Sequence, residues 1–565
     1  MKKLLFLTLT GLAVALYSCN KENDEPETPG NIITTEVVKT DKEAEALGNA
    51  VYGPLQTLSS SFSFLLESHT ESTVSFEGAE TAGGPEASRL ETTPANSYVE
   101  KLYNRLYQSI GASNIAIERL DSSKVTDKLS QETKDLIKAR VKFTRALSYL
   151  YLVQLYGEVP LKLKQADANK NTRVAIDEIY TQIVQDLVEA EAGLPLYDRI
   201  RSNPSKGAAN ALLARAYLTW GQKPLSQAEV EAIKNGAADP AHSVDNEKLQ
   251  KAVEYADKVI DSDQYELLED FNRNFGVAAE NTSAEHIYTI HHDGDNNGDA
   301  QGNHQTHCPF TERFDLWVDN HIGPSDVTLV DRYSNDDRRK LFSIVTRLFN
   351  TDENNKEYQY KFPVTSPRYG KFIHRSNYNE TPAASPGRER AGGSAAAQPN
   401  NINRIEIRYA EVLLIKAEAL FFLNRGGEAL PLVNRLRQRA FGEHYSHYQL
   451  TGLTKENLFE EWDLEFSFEQ KHWQNLVRWK TLVATVKTVD QFEYYKEDYK
   501  DNAAVLAKAA TLGYNSPSEV NAAFFAKIYK HLHAKHANIK GKHYRFPVPT
   551  ASGINQGVSP QNPGY

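Results

Sequence analysis

Glu461, Glu465 and Glu469 recur every four residues, so on a helix their carboxylates form a single stripe. Two carboxylates held in that way could act as the acid and base of a glycosidase. The same stripe could instead pair with Arg478, Lys471 or Arg437 in a charge network between helices. A second cluster is Asp293-Gly294-Asp295-Asn296-Asn297-Gly298-Asp299. Its oxygens at Asp293, Asp295, Asn297 and Asp299, with Gly298 at the sixth position, are spaced like the opening of a calcium loop. Position twelve is His304, where an EF-hand needs a bidentate Glu, so the choice is between a calcium-stabilised loop and a solvated acidic turn. Cys308 stands beside His307 and near His304, His291 and His292, a set that suits zinc or a Cys–His nucleophile but equally an unpaired thiol in a polar loop. The chain has no HExxH, GxSxG, phosphate-binding loop or dinucleotide fingerprint. No catalytic residue is assigned, and the only cofactor in view is a structural calcium.

The other cysteine has a clearer use. Lys2 and Lys3 precede an apolar stretch from Leu4 to Leu16, which is too short for a membrane span and suits a secretory signal. It ends in Leu16-Tyr17-Ser18-Cys19, which resembles a bacterial lipoprotein box, with the Cys19 sulfur taking the lipid. Residues 1–18 are then the signal peptide and residues 19–36 a flexible tether. Asn20 to Gly30 has no apolar residue and two prolines, as an extended linker requires. Its acidity is also similar to the export signal of surface lipoproteins in Bacteroidetes-type bacteria.

Composition sets the class of body that must carry these groups. The chain has 565 residues, 40% of them apolar, and a formal net charge of −10, which becomes −12 once Lys2 and Lys3 leave with the signal. A large core is affordable, and the acidic balance argues against a nucleic-acid partner. Two cysteines exclude a disulfide scaffold. Leu136, Ile137, Arg140, Phe143, Leu147 and Leu150 follow a helical period that stops at Tyr156-Gly157. Ser205 is a candidate N-cap for a helix running through Ala209, Leu212, Ala216 and Trp220 to Gly221. Periodic segments recur at about 99–121, 176–192, 247–262, 404–424, 428–440 and 455–486. The expected fold is all-α, with degenerate tetratricopeptide-like helix pairs and no strict 34-residue repeat. Residues 77–97, 276–311 and 377–403 read as long irregular loops, and the Pro-rich tail from Phe546 reads as an extended strap over the surface.

Five motifs in order then bring a family into view. Arg145-Ala146-Leu147-Ser148-Tyr149-Leu150 through Tyr156-Gly157-Glu158-Val159-Pro160-Leu161, and Lys206 to Leu218, are followed by Arg408-Tyr409-Ala410-Glu411-Val412-Leu413-Leu414 with Ala417-Glu418-Ala419. Glu461 to Trp479 and the ending Gln561-Asn562-Pro563-Gly564-Tyr565 complete the set. The chain resembles the SusD/RagB family of outer-membrane nutrient-binding lipoproteins over nearly its whole length. Trp462 and His472 stand where that pattern has Arg, Asn475 where it has Asp, and the usual Trp near Leu102-Tyr103 is missing.

The resemblance implies a lipid-anchored protein of the outer membrane, facing the exterior, that is not an enzyme. It implies a glycan or oligosaccharide ligand and a SusC-like TonB-dependent transporter as partner. The alternative is a RagB-like peptide-binding component. Sugar recognition needs exposed ring faces beside hydrogen-bonding groups on a preformed surface. The candidate rings in or beside the loops are Phe76, Tyr98, Trp317, Tyr333, Tyr369 and Tyr378, with Trp317 first among them, and core packing is the competing role for each. Trp220, Trp462, Trp473 and Trp479 are expected in the core. The body divides by sequence into a helical part, 37–270, a loop-rich part bearing the binding face, 271–403, and a C-terminal part, 404–565, all forming one compact unit.

Overall fold

The computed structural model describes residues 37–58, 62–75, 83–275, 283–292, 322–323, 332–345, 348–351, 357–359, 368–369, 371, 378–380, 388–390, 403–488 and 522–565. The fold is mostly helical. Its principal helices are α1 (Asp41–Asn49), α2 (Ser97–Ser122), α3 (Gln131–Tyr156), α4 (Ile176–Gly193), α5 (Lys206–Gly221), α6 (Asn246–Ile260), α7 (Tyr409–Phe422), α8 (Gly426–Phe441), α9 (Lys455–Phe466), α10 (His472–Trp479) and α11 (Ala522–Asn538). The strands are β1 (Val74–Ser75), β2 (His286–Ile290), β3 (Ile322–Gly323), β4 (Ile344–Val345), β5 (Leu348–Thr351), β6 (Glu357–Gln359), β7 (Arg368–Tyr369), β8 (Tyr378–Glu380), β9 (Arg388–Arg390) and β10 (Arg404–Arg408).

Local chemistry explains the helix ends. Asn96, Ser130 and Ser205 each cap a helix by accepting backbone N–H bonds, and each supplies a partner to otherwise orphaned donors. Helix α3 ends at Gly157, whose φ of +74° suits a residue without a Cβ; the Arg545 guanidinium lies where that Cβ would sit. Sequential helices pack on one another, α3 on α4, α5 on α6 and α7 on α8, while α6 also packs on α7. One apolar core runs through them, from Leu55 near the N-terminus to Val558 in the tail.

Several expectations change in detail. Residues 404–408 form a strand, because Ile405 and Ile407 alternate with Arg404, Glu406 and Arg408 in a period of two before the helical period begins at Tyr409. The stretch 455–486 breaks after Phe466, where Phe468 (φ 63°) and Gln470 (φ 59°) take left-handed backbone. Part of the first expected loop is helical: Gly83–Ser88 forms a turn of helix with Pro85 in its first turn. The loop-rich part also contains short strands, with β6-β5-β9-β8 as a four-stranded sheet and β4 paired with β7. The tail is a surface strap only in part: Thr550, Ala551, Asn555 to Gly557, Ser559 and Pro560 are exposed, but it is pinned inward on either side of them. Tyr544, Phe546 and Val548 are buried in the core, and buried Asn562 donates to the carbonyls of Tyr156 (3.0 Å) and Phe546 (2.7 Å). A proline-rich segment without helix still has carbonyls to satisfy, and Asn562 satisfies two of them.

Candidate functional site

The loop-rich part leaves the helical body and returns to it at one place. β2 and β10 pair antiparallel, with Arg404 opposite Ile290 and Arg408 opposite His286. Just beyond, the His292 backbone N–H donates to Asn403 Oδ1 at 2.8 Å, and the Gln56 side chain donates to the His291 carbonyl at 2.9 Å. Residues 293–402 are therefore an excursion from a closed neck.

Four residues of that excursion plug into α9 and the segment after it. The Arg332 guanidinium donates to Asp463 (2.8 Å), and the Tyr333 hydroxyl donates to the Leu464 carbonyl (2.6 Å). Arg339, fully buried, contacts Glu461 (2.6 Å), Glu465 (3.0 Å) and its neighbour Asp337 (2.8 Å). Lys371, also fully buried, reaches Glu469 at 2.8 Å and the Glu465 carbonyl at 2.9 Å. From the other side Arg408 contacts Glu285, Glu465 and Glu469, Arg439 contacts Glu285 and Glu465, and Arg437 contacts Glu461.

The carboxylate stripe is thus the socket of a balanced network: five carboxylates (Glu285, Asp337, Glu461, Glu465, Glu469) meet five cations (Arg339, Lys371, Arg408, Arg437, Arg439). Burial alone would raise the pKa of Glu465, but Arg439, Arg408 and Arg339 outweigh it and hold the group well below the usual carboxylate range. Burial lowers Lys371 to about 8 despite the opposing pull of Glu469. Carboxylates so fully engaged have no lone pair directed at a substrate. Of the partners named from sequence, Arg437 is correct. Arg478 pairs instead with Glu418, and Lys471 with Glu411.

The candidate rings separate under this geometry. Tyr333 is corrected: its ring is 2% exposed and its hydroxyl is used by Leu464 and Ser467, so it is a staple of the excursion and offers no stacking face. Tyr98 is half-buried at the start of α2, where its N–H donates to Asn96 and its ring edge lies 2.9 Å from where a Cβ on Gly83 would be. Tyr369 lies on β7 and Tyr378 on β8. Phe76 and Trp317 lie outside the described residues, as do Cys19, Cys308 and the Asp293, Asp295, Asn297 and Asp299 cluster. The backbone does bring the flanks of two of them together: Ser75, directly before Phe76, pairs with Ile322 in β3, five residues after Trp317. Trp462, Trp473 and Trp479 are buried as expected, whereas Trp220 is half-buried.

The profile of the SusD family matches residues 271–565, just over half of the chain, so it spans the neck, the excursion and its socket. The chain belongs to the SusD family. A second profile, described as starch-binding associating with outer membrane, matches residues 44–218. SusD-like protein P2 of Formosa agariphila is 28% identical over 411 residues, 68% of this chain and 72% of its own length. The starch-binding protein SusD of Bacteroides thetaiotaomicron is 28% identical over 214 residues, 37% of this chain and 34% of its own. The crystal structure of a SusD superfamily protein from Parabacteroides distasonis superposes with a TM-score of 0.65 at 20% identity, covering 94% of this chain and all of that one.

Against the SusD-family pattern, two of the residue changes noted in α9 and α10 have physical explanations, and nothing in the structure explains Asn475. His472, in place of Arg, sits between Asp463 (2.8 Å) and Glu71 (2.8 Å). Burial would lower its pKa, yet the two carboxylates raise it well above the usual histidine value, so the position keeps a positive charge. Trp462 fills the other Arg position with a buried ring, and the Arg478 guanidinium lies 5.3 Å from its centre. The cations missed from sequence, Arg339, Lys371, Arg408 and Arg439, carry no local signal, because apart from Asp337 beside Arg339 the carboxylates they act on lie tens of residues away or more.

Proposed function

We propose that this SusD-family protein is a surface-exposed, glycan-binding lipoprotein that captures oligosaccharide for import through a SusC-like TonB-dependent transporter. In this reading Cys19 carries the lipid, residues 19–36 hold the body away from the outer membrane, and no reaction is catalysed. The observation that carries it is the excursion of residues 293–402, closed at its neck and stapled into the Glu461–Glu469 socket. Binding without large ordering losses needs a preformed surface, and the buried ion pairs tie the excursion to the helical body. The starch-binding relative and the starch-binding family profile support glycan as the ligand class. Trp317, Tyr98, Phe76, Tyr369 and Tyr378 are the rings proposed to stack on sugar.

The test is a binding screen of the mature protein against oligosaccharides and peptides side by side, with capture of the outer-membrane partner by the lipidated form. Saturable binding of an oligosaccharide with no new reducing ends supports the reading. Binding confined to peptides would replace it with the RagB-like one, and released reducing ends would make the protein an enzyme.

A further inference from the structure

A cavity lies where the ends of α3, α4 and α5 meet α10 and the C-terminal tail. It holds about 520 Å³ of atom-free space, part of it open to solvent, and no residue of 293–402 lines it. Three polar groups on its lining residues have no partner among the described residues. Trp473 is 1% exposed and its Nε1–H is unmet; the Tyr180 hydroxyl, 0% exposed, and the Gln474 Nε2 are unmet as well. Folded proteins satisfy roughly 90% or more of their buried polar groups, so three orphans around one cavity point to something that fills it.

Charge indicates what that is. Three cations line the cavity, and two are committed: Arg478 makes two 2.8 Å bonds to Glu418, and Arg545 contacts Glu158 at 2.5 Å. Lys480 makes no ion pair among the described residues; its ammonium donates at 3.3 Å to the Val477 carbonyl at the end of its own helix. It is 6% exposed and held in left-handed backbone (φ 58°), which fixes the origin of the side chain at the cavity wall. Burial drives its pKa down to about 8, and the charge of Glu229 offsets this only in part. Two of the unmet groups, Trp473 Nε1 and Gln474 Nε2, are obligate donors, and Lys480 adds a buried ammonium with no ion pair among the described residues. We propose that this cavity binds a small oxyanion, a carboxylate or a phosphate, with Lys480 supplying the charge and Trp473 Nε1–H, Gln474 Nε2 and the Tyr180 hydroxyl the hydrogen bonds. This site is independent of the glycan face.

The experiment titrates the mature full chain with sodium glucuronate, glucose and inorganic phosphate, followed by calorimetry and by indole N–H resonances. Glucuronate or phosphate should bind saturably at millimolar concentrations and shift one buried indole N–H, while glucose should not bind there. Whichever anion binds more tightly tells carboxylate from phosphate. Lys480→Gln should weaken the anion at least about ten-fold, the usual weight of a hydrogen bond to a charged group. Gln474→Glu, a half-buried position that tolerates the change sterically, should abolish binding by like-charge repulsion, and Trp317→Ala should leave it unaltered. Failure of both anions to bind means that the cavity holds water only and overturns the proposal. Equal binding of glucose and glucuronate overturns it too, as does unchanged affinity in both Lys480→Gln and Gln474→Glu.

Discussion

The ammonium of Lys371 lies 2.8 Å from Glu469 Oε1, and both side chains are shut away from water. Lys371 belongs to the loop-rich excursion, and Glu469 follows α9 almost one hundred residues later. Isolated in a low-dielectric interior the ammonium would be expelled, so Lys371 depends on Glu469, which Arg408 also holds from the other side. Arg339 makes the same kind of link one and two helical turns earlier, to Glu465 and Glu461. The excursion is therefore held at two successive turns of α9 and again at the bend that follows it.

Breaking one link should show how much the socket contributes. Arg339→Met removes the cation shared by Asp337, Glu461 and Glu465 and leaves three buried carboxylates short of a partner. A loss of about 3–5 kcal/mol is expected from half of a buried pair. Urea denaturation measures it, and a loss below about 1 kcal/mol would show that water reaches the site.

Glu67 should report the opposite balance. It is buried, accepts a 2.6 Å bond from the Gln470 N–H, and is raised to about 7, with burial the main cause. An acid whose folded pKa lies above its unfolded value of about 4.3 gives stability at low pH that fades as pH rises through 7. Glu67→Gln keeps the acceptor and removes the titration. It should match the parent near pH 4 and exceed it by a few kcal/mol, in order of magnitude, above pH 7. Parallel stability curves for the two proteins would contradict the assignment.

His472 should give a slope of the same sign at higher pH. Its folded value is raised well above the unfolded one by Asp463 and Glu71, so its contribution is complete below about 6.5 and is lost as pH climbs through the folded value. The stability difference between the parent and His472→Gln should shrink steadily on the alkaline side. A difference that stays constant from pH 6 to pH 10 would rule out a buried imidazolium.

Two aromatic substitutions separate stacking from stapling. Trp317→Ala should weaken oligosaccharide binding and leave the unfolding temperature unchanged. Tyr333→Phe removes only the hydroxyl that Leu464 and Ser467 share, and should lower stability by about 1 kcal/mol with ligand affinity preserved. Calorimetry and thermal melts on the same samples check both, and full affinity in Trp317→Ala would discard that ring as a contact.

The helical body was legible because its signals are local. The apolar period through Leu147 and Leu150, the stop at Gly157 and the cap at Ser205 all lie within a few residues of what they control. The motif order from Arg145 to Tyr565 carried the family by the same route. Strands of two to five residues such as β5, β8 and β9 were missed because so short an element has no period of its own and exists only through its neighbours. Trp462, Trp473 and Trp479 were placed correctly by helix face, but Tyr333 was not, since nothing in Arg332-Tyr333-Ser334 shows that Leu464 is waiting for its hydroxyl.

Sequence alone determined the helices, the family and the presence of a carboxylate stripe, because periodicity and motif order are properties of neighbouring residues. Whether that stripe was a pair of catalytic acids or a socket could be decided only in three dimensions. Glu461, Glu465 and Glu469 look the same in either role; what differs is the arrival of Arg339, Lys371, Arg408 and Arg439 from distant segments, and burial makes each of those charges depend on the others.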